Sequence, residues 1–115
     1  MPGDLSAHFS RAEFRCKHCG HLHGPAAALV EVLERIRAIT GTPLAVVSGY
    51  RCSVHNRNVG GAARSRHLVG DAADIPRGRA TLAQARAAGA VGVGTLGEWA
   101  THVDVRPGLP AHWRY

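Results

Sequence analysis

Two histidines and a carboxylate carry the first chemical signal in this chain. His67 and Asp74 are separated by six residues that include Gly70, a spacing that lets a turn bring the histidine back toward the carboxylate. Further on, His102 and Asp104 form an H-x-D pair. A catalytic zinc site needs three nitrogen or oxygen ligands and one open position, and His67, Asp74 and His102 supply such a set. A zinc ion held there would lower the pKa of its water to roughly 7 and so provide hydroxide near neutral pH. By spacing alone the same residues also fit a plainer reading, a loop histidine beside a strand-end hydrogen-bond acceptor.

A second cluster lies near the start. Cys16-x-x-Cys19, with His18, His21 and His23 close by, has the form of half a structural zinc site, and Cys52 offers a third thiolate. A disulfide between two of the three cysteines, or three reduced thiols in a glycine-rich loop, are the competing readings.

The elements that must position these groups follow from periodicity. Ser10 and Glu13 form a capping box opening a turn over residues 11–14. Leu29, Val32, Leu33, Ile36 and Ile39 recur at helical spacing, so a helix is expected from Pro25 to Thr40, closed by Gly41. Strands are expected at Leu44–Ser48, Ala72–Ile75, Val91–Val93 and Thr101–Arg106, and helical segments at Ser53–Val59 and Thr81–Ala88. In the last strand, alternation places His102, Asp104 and Arg106 together on an open face, with Val103 and Val105 turned to the core. The expected class is α+β: a small antiparallel sheet of about four strands packed on one long N-terminal helix plus short helices.

Composition narrows the function classes. The 115 residues fit one domain over 1–115, with residues 1–24 as a Cys/His-containing segment and 25–115 as the helix-and-sheet core bearing the metal site. Apolar residues at 45% and charged residues at 19% lie in the globular range, and no apolar run is long enough to insert in a membrane. The net charge of +6 favours an anionic partner, but the positive charge is almost all scattered arginine, with Lys17 the only lysine. No second ligand pair at finger spacing and no basic-aromatic stripe accompany Cys16-x-x-Cys19, so no specific nucleic-acid partner is expected. Residues 1–6 lack the charged-then-apolar pattern of a secretory signal.

Several further segments occur in a telling order: Ser48-Gly49-Tyr50-Arg51, His55-Asn56, Ser65-Arg66-His67 through Asp74-Ile75, and His102-Val103-Asp104-Val105-Arg106, with His112-Trp113 near the end. Together they resemble the zinc D-alanyl-D-alanine carboxypeptidase family of peptidoglycan peptidases, in particular its short single-domain members, over nearly the whole chain. The resemblance implies the fold shared with the Hedgehog signalling domain, and one catalytic Zn2+ on His67, Asp74 and His102. It also implies a substrate-binding Arg51, whose guanidinium suits a peptide carboxylate. Ser65 either touches substrate, orients His67 or shapes the turn.

Better-known relatives carry a carboxylate three residues before the last histidine ligand, where this chain has Trp99. Glu98 is the nearest acid before His102, and full extension would put it about 13 Å away. Asp104, at roughly 7 Å on the same face, competes with Glu98 as general base or else supports a ligand histidine. The expected activity is a zinc-activated-water peptidase acting on stem or cross-link peptides, as a D,D-carboxypeptidase or a cell-wall endopeptidase, including a phage-type endolysin. The enzyme is expected to be a monomer that reaches the wall by release from the cytoplasm or through a leader absent from this chain. A non-catalytic zinc-containing binding module of the same fold is the alternative.

Overall fold

In the computed structural model, residues 3–115 are described; Met1 and Pro2, the first two residues of the segment read for an export signal, lie outside them. The chain opens with a 3-10 turn at Arg11–Phe14, where the Ser10 amide donates to Glu13 at 2.8 Å and Phe14 is delivered to the core. The longest helix, α1 (Ala27–Thr40), follows the periodic apolar stripe. Leu29, Val32, Leu33 and Ile36 are buried, while Ile39 at the end is exposed. Gly41 stops it in the left-handed conformation, as the sequence predicts. Two shorter helices, α2 (Ser53–Asn58) and α3 (Leu82–Ala87), occupy the expected segments. The latter is capped by Thr81, whose hydroxyl accepts from the Gln84 amide at 3.2 Å.

The sheet corrects two expectations. Its strands are β1 (Ala72–Asp74), β2 (Gly92–Leu96), β3 (Trp99–Asp104) and β4 (Ala111–Arg114), in spatial order β1-β3-β2-β4. Neighbours β1/β3 and β3/β2 are antiparallel, but β4 runs parallel to β2, so the sheet is mixed. The expected strand at Leu44–Ser48 is reduced to a bridge. Val47 donates to the Asp74 carbonyl and Asp74 donates to that of Ser48, each at 2.8 Å, after which Tyr50 turns away to bond Phe14. Pro43 before this segment has no N–H to extend the ladder.

One row across the sheet carries the core and the next carries the site. Ala73, Val103 and Val93 sit side by side in register and are fully buried in a cluster that also holds Leu29, Leu33 and Ile36 of α1 and Ala85 of α3. The flanking rows are Asp74–His102–Gly94–Trp113 and Ala72–Asp104–Gly92–Ala111. Both glycines of β2 are forced by close approach. A Cβ at Gly94 would stand 2.7 Å from the Trp113 indole nitrogen, and one at Gly92 would overlap the Asp104 carboxylate. The Gly92→Ala variant should therefore lose about 1–3 kcal/mol through overpacking, seen as a lower Tm. An unchanged Tm would mean that Asp104 is not held against β2.

Candidate metal centre

His67 reaches the site from a 3-10 turn, Arg66–Val69, that is fixed at both ends. The Ser65 hydroxyl accepts from the His67 amide at 3.2 Å, so Ser65 shapes the turn while also lining the cleft. Gly70 ends the turn with φ 77, packed so closely on the His23 carbonyl that no side chain fits. Arg66 then clamps Asp71 through a 2.5 Å ion pair across the turn. Asp74 arrives on β1, and His102 faces it across the β1/β3 ladder.

Three donor atoms converge. His67 Nε2 lies 3.1 Å and His102 Nδ1 3.3 Å from the same oxygen, Oδ1 of Asp74. The outer nitrogens fix what the inner ones present. His67 Nδ1 is 2.6 Å from the Gly49 carbonyl, which can only accept, so that nitrogen carries the proton. His102 Nε2 is 2.8 Å from Asp104 Oδ2, and an ionised carboxylate likewise only accepts. With neutral imidazoles, two lone pairs and a carboxylate oxygen point at one another, an arrangement that a cation at their centre resolves. The residues therefore fit a zinc ion, with borderline nitrogen and oxygen donors on rings oriented from behind.

Charge at the site is arranged accordingly. Burial alone would raise the Asp74 carboxyl, but the His102 and His67 rings hold it well below the usual carboxylate range. Burial would also raise Asp104; His102 and Arg106 overcome this and keep it ionised. Burial pulls His102 down, yet the two carboxylates on either side of its ring bring it above the ordinary imidazole value.

Arg51, expected to hold substrate, grips Asp74. Its guanidinium donates to Asp74 Oδ2 at 2.7 Å and to Asn56 Oδ1 at 3.3 Å, and its backbone N–H bonds the His67 carbonyl at 3.1 Å. Asn56 is set in turn by its own bond to the Ala62 carbonyl at 2.8 Å.

Neither candidate base faces the opening. Glu98 is exposed on the turn between β2 and β3, at the far end of the strand from His102, and is absent from the cleft lining. Asp104 is fully buried, not on an open face. It accepts from Gly92, His102 and Arg106, which makes it a positioning residue for the His102 ring. The expected open face of β3 is closed by β4, the strand that sequence periodicity did not predict. Trp113 packs on His102 with ring centroids 4.9 Å apart, and Arg106 lies over the indole at 5.0 Å. The Gly92-Val93-Gly94 alternation was the sequence signal for these overlying side chains, and His112-Trp113 the signal for the wall.

The centre opens into a cleft of about 500 Å3. Arg51, Arg64, Arg66 and Arg106 line it with Trp113 and Tyr115, and none of the described lining residues is acidic. Cys16, Cys19 and Cys52 form a separate group of free thiols.

Two imidazoles and a carboxylate gathered beside an open cleft suit a metal centre of the hydrolytic type, which needs protein ligands on one side and room on the other. The sequence model of the Peptidase M15 family matches residues 7–105, and the chain belongs to that family as a D-alanyl-D-alanine carboxypeptidase-like member. No curated protein matches the chain.

The Asp104→Asn variant keeps the volume but disturbs the acceptor behind His102. Zinc affinity should fall about 10–100-fold, the usual effect of losing such a partner, measured by competition with a chromogenic chelator. Unchanged affinity would remove Asp104 from the metal centre.

Proposed function

We propose that this protein is a zinc peptidase that hydrolyses peptide bonds in the stem or cross-link peptides of bacterial peptidoglycan. The convergence of His67, Asp74 and His102, with both histidines lining an arginine-rich cleft, in a chain of the Peptidase M15 family, is the observation that carries this reading. Zinc, when bound, polarises the scissile carbonyl and supplies an activated water. The chain's own groups do the rest. Gly49 and Asp104 hold the two imidazoles in the tautomers that face inward. Arg51 fixes the second oxygen of Asp74, and its remaining N–H groups are free for a substrate oxygen. Arg64 and Arg66, at the rim, suit a peptide bearing several carboxylates, as wall stem peptides do. Trp113 and Tyr115 give the peptide an apolar wall.

In this reading Asp104 acts through His102, and Glu98, outside the cleft, takes no part in proton transfer. The site of action is the cell wall, reached after release from the cytoplasm or by export. A second reading, a zinc-containing binding module of the same fold, draws support from one feature: none of the described residues lining the cleft is a carboxylate that could serve as base.

Purified cross-linked and uncross-linked wall peptides incubated with zinc-loaded protein separate the two. A new amine terminus is expected, and mass spectrometry of the digest then identifies the bond as a terminal D-Ala linkage or an internal one. Binding without any cleavage across both substrates would establish the module instead. In the same assay Glu98→Gln should keep activity within about twofold. A fall of about 100-fold, the scale of lost general-base catalysis, would return that role to Glu98.

A further inference from the structure

The proposed peptidase centre leaves one cluster of soft ligands unused. Cys16 and Cys19 lie on the N-terminal turn, Cys52 caps α2, and the three sulfurs all lie within 4.8 Å of one another. The sequence separations make this a gathered site: Cys52 comes from a segment 36 residues beyond Cys16. All three thiols are free.

Backbone amides are directed at two of these sulfurs. The Cys52 amide donates to Cys16 Sγ at 3.4 Å. The His55 amide donates to Cys52 Sγ at 3.4 Å. The turn itself is closed by Gly20 donating to the Cys16 carbonyl at 2.9 Å and Cys16 donating to the His21 carbonyl at 2.8 Å. Gly20 adopts φ 74, a left-handed conformation that other residues rarely take. A disulfide between any two sulfurs would leave the third without a role. A tetrahedral ion with Zn–S bonds near 2.3 Å holds its sulfurs about 3.8 Å apart, a separation this group reaches by a small contraction.

We propose that Cys16, Cys19 and Cys52 bind a second, structural Zn2+ ion as three thiolates, with water or a histidine of the exposed turn as the fourth ligand. Binding releases the thiol protons to solvent, and no redox change is involved. The ion ties the N-terminal turn to the residue immediately after Arg51. It therefore anchors from behind the guanidinium that grips Asp74.

Metal content and cobalt spectroscopy on the full chain, purified with reductant, test this without reference to activity. Wild-type protein should carry two zinc ions per chain. The His67→Ala/His102→Ala variant should retain one, and its cobalt-substituted form should show a thiolate-to-cobalt charge-transfer band in the near ultraviolet. The Cys16→Ser/Cys52→Ser variant should lose one ion and keep the other. Should that variant fail to fold, the histidine variant still decides. A histidine variant with no bound zinc, no charge-transfer band, or three thiols that react freely in the zinc-loaded protein would overturn the proposal. Failure of the peptidase assay alone would leave these readouts unchanged.

Discussion

Asp74 is the group on which the rest of this molecule turns. One of its oxygens faces both His67 and His102, and the other takes the Arg51 guanidinium. A carboxylate this enclosed is costly unless cations and hydrogen bonds surround it. The chain meets that requirement from three separate places: the turn at Arg66–Val69, strand β3, and the segment after Ser48. Satisfying one half-buried charge thus fixes the relative positions of most of the second half of the fold. Asp104 repeats the arrangement two rows away, on the other side of the core row, with His102 on one side and Arg106 on the other. Each aspartate is matched by an arginine, so the protein part of the centre is close to neutral when the imidazoles are neutral. A divalent cation added there leaves a net positive floor, which favours a substrate with carbonyl and carboxylate oxygens.

The sheet is shaped around these side chains. Strand β2 lies between β3 and β4 and has Gly92 and Gly94 where it passes the site. Their missing side chains let the Asp104 carboxylate and the Trp113 indole lie across the strand. The register shift at Gly94/Thr95 falls in the same stretch, where β2 stops following β3 residue for residue. Strand β4 is held by more than its ladder. Arg86 of α3 donates to the Ala111 carbonyl at 2.8 Å and to the Val91 and Ala90 carbonyls, binding helix and strand ends into one corner. Because Trp113 on β4 covers His102, this corner belongs to the site as much as to the fold.

What could be read from the sequence was local. The apolar stripe of α1, the Ser10/Glu13 capping box and the strands around Asp74 and His102 announce themselves within a few residues, and the ligand spacing with them. What could not be read depends on contacts distant in sequence. Ala111–Arg114 is too short to show a period, follows Pro107 and Pro110, and becomes a strand only because β2 offers it a parallel edge. Without β4, alternation in β3 places His102 and Asp104 on a solvent face; with it, they are 5% and 0% exposed. The same gap explains the two acids. Glu98 has the nearer match to the family pattern by sequence position, but the β2/β3 turn carries it to the surface. Asp104 is near in space but engaged by three neighbours.

The positive charge, unspecific as a number, acquires direction from its placement. Four arginines line one cleft, and three of them are paired with Asp74, Asp71 and Asp104. Paired guanidinium groups are held in place and keep N–H donors to spare, so they present ordered donors rather than mobile charge. Arg64, exposed at the rim, supplies the long-range attraction that such fixed groups lack. A polyanion bound by charge alone would need no such ordering, since sequence-independent phosphate binding rests on counterion release. Donors ordered beside His67 and His102 instead suit the proposed peptide substrate, whose carbonyl and carboxylate oxygens can each meet a fixed N–H.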